Sequence, residues 1–107
     1  MSISTHVLDA TTGLPASGMP VSLWRRLADG WAWVSEARTD ADGRVDGLSS
    51  EPGEHRLVFA SGPWWGDRGL DAFHPEVVVT FTVADADAHH HVPLLAGPFS
   101  YTTYRGS

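Results

Sequence analysis

Histidine is the residue type in this chain that most directly offers chemistry, and three of its six copies fall at polar positions of predicted strands. His89 and His91 are two residues apart, so a strand would turn both imidazoles to one face and His90 to the opposite face. His6 lies in a separate predicted strand near the start of the chain. Imidazoles that share a face favour either proton transfer or metal binding.

A metal site would require His6 as a third ligand beside His89 and His91, from a strand that lies alongside theirs. The sequence contains no recognised metal signature, such as a helical pair of histidines with a glutamate. We therefore expect proton transfer, with no metal ion and no cofactor. His55 and His74 have no placement that indicates a role.

Arg44 directly follows an Asp-Gly pair, which is typical of a tight turn, so its guanidinium is predicted to lie at the start of a strand and outside the core. A planar fork of donors suits an anionic or carbonyl-rich heterocycle. The alternative is a surface arginine that pairs with Asp42 or Asp46.

The segment from residue 100 to residue 107 concentrates the hydroxyl groups of Tyr, Thr and Ser. Chain ends are normally frayed and make few demands on sequence, so this composition is unusual. It indicates either groups that act on a substrate or an ordinary amphipathic edge strand with a loose tail.

Short runs with apolar residues at every second position, separated by Gly, Pro and Asp turns, predict an all-β sandwich that positions these side chains. We expect about eight strands in two sheets of about four. One short helix is expected around residues 69–73, in a stretch rich in Gly and Trp. The expected strands cover residues 3–8, 21–27, 31–38, a run starting at 44, 54–61, 77–83, 89–95 and 99–104.

Length and composition limit the class of protein. With 107 residues, 42% of them hydrophobic, the chain is expected to form a single domain over residues 1–107. The net charge of -6 and the lack of a basic run argue against nucleic acid or an anionic membrane surface as partners. The chain has no Cys, no signal-peptide pattern and no apolar run of membrane-spanning length, so we expect a soluble, cytoplasmic protein.

Four segments together resemble the hydroxyisourate hydrolases, enzymes on the transthyretin scaffold, over essentially the whole chain. The closing Tyr-Arg-Gly-Ser is the most specific segment, because it separates these hydrolases from transthyretins, the hormone carriers of the same fold. The sequence departs from the family pattern in two places, since His90 stands where Tyr is usual and Ala96-Gly97 where Leu-Ser is usual. The segments are residues 4–9, 39–44, 89–95 and 104–107.

The resemblance implies hydrolytic opening of the six-membered ring of 5-hydroxyisourate during urate degradation in purine metabolism, with water as nucleophile and without a cofactor. It implies catalytic roles for His6, Arg44, His91 and Ser107, and substrate binding by Tyr104 together with His6 and Arg44. One imidazole would activate water with help from Ser107, and the other would orient water or protonate the departing nitrogen. Which histidine is the base stays open at this point.

The resemblance also implies a two-sheet sandwich with one short helix, assembled as a homotetramer, a dimer of dimers with active sites at the dimer–dimer interface. Trp24, Trp31 and Trp33 are compatible with either the core or an interface. The alternative function is a transthyretin-like, non-catalytic binding module for a small aromatic ligand. Such a carrier would not need paired imidazoles, so the hydrolase is favoured.

Overall fold

The computed structural model describes residues 2–85 and 87–107. Within these residues the chain forms eight strands and one short helix, so the predicted number and type of elements are confirmed. In chain order the elements are β1 (Ser2–Asp9), β2 (Pro20–Leu27), β3 (Gly30–Arg38), β4 (Arg44–Leu48), β5 (Gly53–Phe59), α1 (Ser61–Gly66), β6 (Val77–Val83), β7 (His89–Ala96) and β8 (Tyr101–Thr103).

The strands form two four-stranded sheets with the orders β4-β1-β7-β8 and β3-β2-β5-β6. All neighbouring strands pair in antiparallel fashion except β1 and β7, which are parallel. This pairing brings the first and seventh strands side by side, although they are more than 80 residues apart in the chain. The predicted all-β, two-sheet sandwich is confirmed.

The core lies between the two sheets and follows from the period-two alternation of each strand. Ile3 and Val7 of β1 are fully buried, as are Leu23 of β2 and Leu57 and Phe59 of β5. The alternate residues of β1 and β7 therefore face outward. The outer face of the β4-β1-β7-β8 sheet consequently carries the polar side chains of β1 and β7.

The predicted helix over residues 69–73 is wrong, because the helix lies earlier, at Ser61–Gly66. Its position is explained by Trp64 and Trp65, which are 6% and 1% exposed and pack into the core. The helical turns end at Gly69, whose φ of 73° lies in the left-handed region. The strand predicted over residues 54–61 accordingly ends at Phe59.

The last strand is shorter than predicted, covering Tyr101–Thr103 and not residues 99–104. Gly97 N–H donates to the Ser100 carbonyl over 2.8 Å, which closes a turn where the sequence suggested strand. The exposed side chain of Phe99 makes no contribution to the core. The chain beyond Thr103 is therefore a separate tail.

The three tryptophans of β2 and β3 lie outside the core. Trp24 and Trp33 are paired across the two strands, and Trp33 is exposed. The Arg56 guanidinium lies 4.0 Å from the ring centroid of Trp31, a cation–π contact on the outer face of the second sheet. Among the described residues, no helix has the length and apolar character needed to cross a membrane.

Candidate active site

Strand pairing brings His6, Arg44 and His91 to one outer face. In the antiparallel pair β1–β4, His6 lies directly opposite Arg44. In the parallel pair β1–β7, His6 lies opposite Pro93, and Ser4 lies opposite His91. Residues two apart on a strand share a face, so Ser4 and His6 point to the same side of β1. Residues directly opposite on paired strands also share a face. Both imidazoles and the guanidinium therefore project from the same side of the sheet.

The turn before β4 fixes the position of Arg44. Gly43 has a φ of 76°, and a Cβ added there would lie 2.4 Å from the Val7 carbonyl oxygen, so the turn packs tightly against β1. The Asp40 carboxylate accepts hydrogen bonds from the backbone N–H groups of Asp42 and Arg44, each over 2.9 Å. Glycine is thus required by both the backbone conformation and the close approach to β1.

Arg44 is exposed and forms no ion pair with an acidic residue of the described part of the chain. Within residues 2–85 and 87–107, the arginines that form ion pairs are Arg25 and Arg26, with Glu51 and Glu54. Arg44 therefore does not form the ion pair with Asp42 or Asp46 that the alternative, a purely structural surface arginine, would require. Its donors remain available to a bound molecule.

The tail lies against His91. Gly106 N–H donates to the His91 carbonyl over 2.9 Å and forms an isolated antiparallel bridge. A Cβ on Gly106 would lie 2.5 Å from His91 Cδ2 and 3.0 Å from Pro93 Cγ. The absence of a side chain at Gly106 is what allows the tail to pass over the imidazole and carry Ser107 to the same face.

The strands and the tail line an open cleft with a volume of about 320 Å³. This volume lies at the small end of the range of about 300–1,000 Å³ typical of small-molecule sites. The cleft brings together all five residues for which the resemblance implies a role: His6, Arg44, His91, Tyr104 and Ser107. The remaining lining residues are Leu8, Pro93, Leu94, Leu95 and Gly106.

Comparison with known proteins identifies the family of this chain. The model of the HIUase/Transthyretin family matches residues 3–106. This chain belongs to the HIUase/Transthyretin family. It is 40% identical over 109 residues to the 5-hydroxyisourate hydrolase of Salmonella dublin, covering 98% of this chain and 80% of that one. The family resemblance predicted from the sequence is confirmed.

Solved structures of both branches of the HIUase/Transthyretin family share the fold. The 5-hydroxyisourate hydrolase of Klebsiella pneumoniae superposes with a TM-score of 0.88 at 32% identity, covering 99% of this chain and 93% of that chain. The transthyretin of Sparus aurata gives a TM-score of 0.91 at 31% identity, covering 97% and 95%. The fold alone therefore does not separate a hydrolase from a carrier, and the side chains of the cleft must do so.

The electrostatic surroundings of His91 lower its pKa below the usual 6.5. Partial burial is the largest cause, followed by the positive charge of Arg44 and the neighbouring imidazoles of His89 and His6; Asp46 opposes them. Each of the first group disfavours the imidazolium. His91 is therefore neutral at pH 7 and has a lone pair available to accept a proton.

Sequence reasoning missed the serines that hold these imidazoles. Ser4 Oγ is hydrogen-bonded to His91 Nδ1 over 2.7 Å and to His89 Nε2 over 2.9 Å. The signal was present in β1, because Ser2, Ser4 and His6 alternate along one face. It could be used only once the parallel register that places Ser4 opposite His91 was known.

The other histidines lie away from the cleft. His90 lies on the face opposite His89 and His91, as predicted from alternation; it is buried, and its Nδ1 is 3.2 Å from the Ala88 carbonyl. His55 is only 1% exposed and stacks on Phe81, which the sequence analysis did not anticipate. His74 contacts the Tyr101 ring. In the described part of the chain, no group of three or more His, Asp or Glu side chains is arranged to hold a metal ion.

Proposed function

We propose that residues 1–107 form a single hydrolase domain that opens the six-membered ring of 5-hydroxyisourate. The proposal rests above all on one observation: the imidazoles of His6 and His91, the Arg44 guanidinium and Ser107 line a single small cleft. The hydrolase names of the relatives at about 40% identity support the choice of substrate. The product would be 2-oxo-4-hydroxy-4-carboxy-5-ureidoimidazoline.

His91 is the general base in this proposal. Its Nδ1 is engaged by Ser4, which leaves Nε2 as the nitrogen that faces a bound water. Its lowered pKa keeps it unprotonated at neutral pH, the state a base needs before turnover. The water oxygen attacks the ring carbonyl carbon while one of its protons passes to His91 Nε2.

Arg44 and His6 bind and orient the substrate and stabilise the charge that develops during the reaction. Arg44, opposite His6 in the sheet, holds substrate oxygens and stabilises the negative charge that develops on the attacked carbonyl. Collapse of the tetrahedral intermediate breaks the ring C–N bond, and the departing nitrogen takes the proton that His91 Nε2 accepted from water. His6 orients water and substrate for these steps.

The tail completes the site. Tyr104 and Ser107 line the cleft, and the Gly106 bridge fixes both of them relative to His91. Tyr104 binds the substrate ring, while the hydroxyl of Ser107 assists His91 in activating water. Every step uses groups of this chain and water, so we propose no cofactor.

We further propose a homotetramer built as a dimer of dimers, with the cleft at the dimer–dimer interface. The cleft is open on the outer face of the β4-β1-β7-β8 sheet, where a second copy would complete its walls and exclude water. Sedimentation equilibrium of the purified protein tests this assembly. A monomer at micromolar concentration with full activity would contradict it.

The decay of freshly generated 5-hydroxyisourate, followed by ultraviolet absorbance, tests the activity. A hydrolase present at a small fraction of the substrate concentration accelerates the decay of all the substrate. A transthyretin-like carrier changes the signal only in proportion to its own concentration. Stoichiometric behaviour would overturn the proposed hydrolysis and favour the binding module.

A further inference from the structure

Three hydrogen bonds join four side chains in an unbranched line on the outer face of β1 and β7. His91 Nδ1 bonds to Ser4 Oγ over 2.7 Å, Ser4 Oγ to His89 Nε2 over 2.9 Å, and His89 Nδ1 to Ser2 Oγ over 2.5 Å. The line leads from half-buried His91 through Ser4, only 2% exposed, to the exposed imidazole of His89.

The sheet register creates this line. In the parallel pair, Ser2 lies opposite His89 and Ser4 opposite His91, so serines and imidazoles interdigitate. The two imidazole rings stack with their centroids 6.3 Å apart and an interplanar angle of 16°. His91 uses Nδ1, His89 uses both ring nitrogens, and each serine uses its single oxygen. The hydrogen bonds can therefore all donate in one direction, from His91 toward Ser2.

A positive charge on His91 is unfavourable where that ring lies. Arg44 and His6 stand beside it, and partial burial removes water that would solvate an imidazolium. His89, by contrast, is exposed to solvent and farther along the line from the cleft. A proton that His91 accepts therefore has a more favourable location one serine away.

We propose that His89 and Ser4 form a proton relay that moves the positive charge from His91 to His89 during turnover. The inference rests on the proposed hydrolysis with His91 as base. As water protonates His91 Nε2, the Nδ1 proton of His91 passes to Ser4 Oγ and the original hydroxyl proton of Ser4 passes to His89 Nε2. When the intermediate collapses, the departing nitrogen takes the Nε2 proton of His91, and the other two protons return along the line.

The relay balances over one cycle. In the resting state both imidazoles carry their proton on Nδ1, with His91 donating to Ser4, Ser4 donating to His89, and His89 donating to Ser2. At the midpoint His91 is neutral with its proton on Nε2, and His89 is the imidazolium. Ser4 is a positioning residue as well as a conduit, because its oxygen fixes the Nδ1–H tautomer of His91.

His89→Gln tests the relay at an exposed position, where loss of folding is not expected. Glutamine retains hydrogen-bonding groups but cannot hold a proton at neutral pH, so kcat should fall about tenfold with little change in KM, a smaller loss than removal of the base itself. His74→Gln is the matched control, because it makes the same change at an imidazole outside the cleft, and it should keep wild-type kcat.

Solvent isotope measurements separate proton transfer from a structural role. A plot of wild-type kcat against the deuterium fraction of the solvent should be curved, since several protons move in one step. The same plot for His89→Gln should be a straight line. Ser4→Ala should behave like His89→Gln, while Ser4→Thr, which keeps a hydroxyl, should recover most of the kcat. Wild-type kcat and curvature in His89→Gln would overturn the relay.

Nitrogen NMR of the histidine rings gives a readout that does not require turnover. The relay predicts Nδ1–H tautomers for both His89 and His91 in the resting protein, and a change to Nε2–H at His91 in Ser4→Ala. An Nε2–H tautomer at His91 in the wild-type protein would overturn the relay. If instead the tautomers are as predicted but the wild-type protein does not hydrolyse 5-hydroxyisourate, the proposed function fails on its own account.

Discussion

Substitution of Gly106 by alanine tests whether the tail holds His91 in a working position. The added Cβ would meet His91 Cδ2 at 2.5 Å, whereas carbon atoms in contact prefer about 3.5–4.0 Å. The tail or the imidazole must therefore shift by about 1 Å. A displacement of this size in a catalytic constellation can cost about 100-fold in rate.

The expected result of Gly106→Ala is thus a loss of about 100-fold in kcat/KM on 5-hydroxyisourate. The free energy of unfolding should fall by only about 1 kcal/mol, because one backbone hydrogen bond, from Gly106 to His91, is at risk. Activity is measured by the ultraviolet decay assay and stability by urea denaturation of the same preparation.

Gly66→Ala is the matched control for this experiment. Gly66 ends α1, has no heavy atom within 4 Å of an ideal Cβ and lacks a left-handed backbone conformation. Alanine at Gly66 should leave activity and stability close to wild type. Wild-type kcat/KM in Gly106→Ala would refute the idea that contact between tail and imidazole sets the geometry of the site.

Three further predictions follow from the same structure. Arg44→Lys should lower kcat/KM by about 100-fold in the decay assay, because an ammonium lacks the planar fork that grips two oxygens, and a change below threefold would contradict this role. Deletion of residues 105–107 should abolish activity while circular dichroism shows a folded β-protein, since the tail contributes few core contacts; an active truncation would leave the tail without catalytic meaning. Burial lowers the pKa of His55 below 6.5, although the hydrogen bond to the Gly53 carbonyl opposes this shift. The imidazole therefore binds a proton more readily in the unfolded chain than in the folded one. The free energy of unfolding should consequently decrease as pH falls below 6.5. His55→Phe, which keeps a ring against Phe81, should weaken that decrease in urea denaturation series from pH 8 to pH 5, and an unchanged pH dependence would contradict the burial argument.

The strand pattern predicted most of the fold because period-two alternation records which face is buried. The run from residue 77 to residue 83 became β6 with the predicted bounds. The same signal was present at His55, which alternates in phase with Leu57 and Phe59 and is buried with them. The polar residue type of His55 argues for exposure, whereas its position in the alternation with Leu57 and Phe59 argues for burial, and the position decides.

The helix could not be located from the sequence in the same way. Its six residues at Ser61–Gly66 are too few for a helical period, and they include Gly and Pro. Tertiary burial of Trp64 and Trp65 selects this segment over the following one. The sequence therefore indicated a helix between β5 and β6 but not which residues form it.

The site was predicted residue by residue only through resemblance to known hydrolases. Its side chains come from three strands and a tail, and spacing in the chain does not reveal that β1 and β7 pair in parallel. The role of Gly106 was likewise hidden, because a close approach to His91 becomes visible only in three dimensions. The serine–histidine line depends on the same register.

The most direct test of the hydrolytic site is the rate of 5-hydroxyisourate decay with His91→Ala and His6→Ala, compared with wild type and with His74→Ala as a control outside the cleft. Loss of the general base in His91→Ala should lower kcat by about 10²- to 10⁴-fold. Loss of the orienting imidazole in His6→Ala should lower kcat by about 100-fold, with the control unchanged. Wild-type turnover in His91→Ala, in a folded protein, would contradict the assignment of this imidazole as the base.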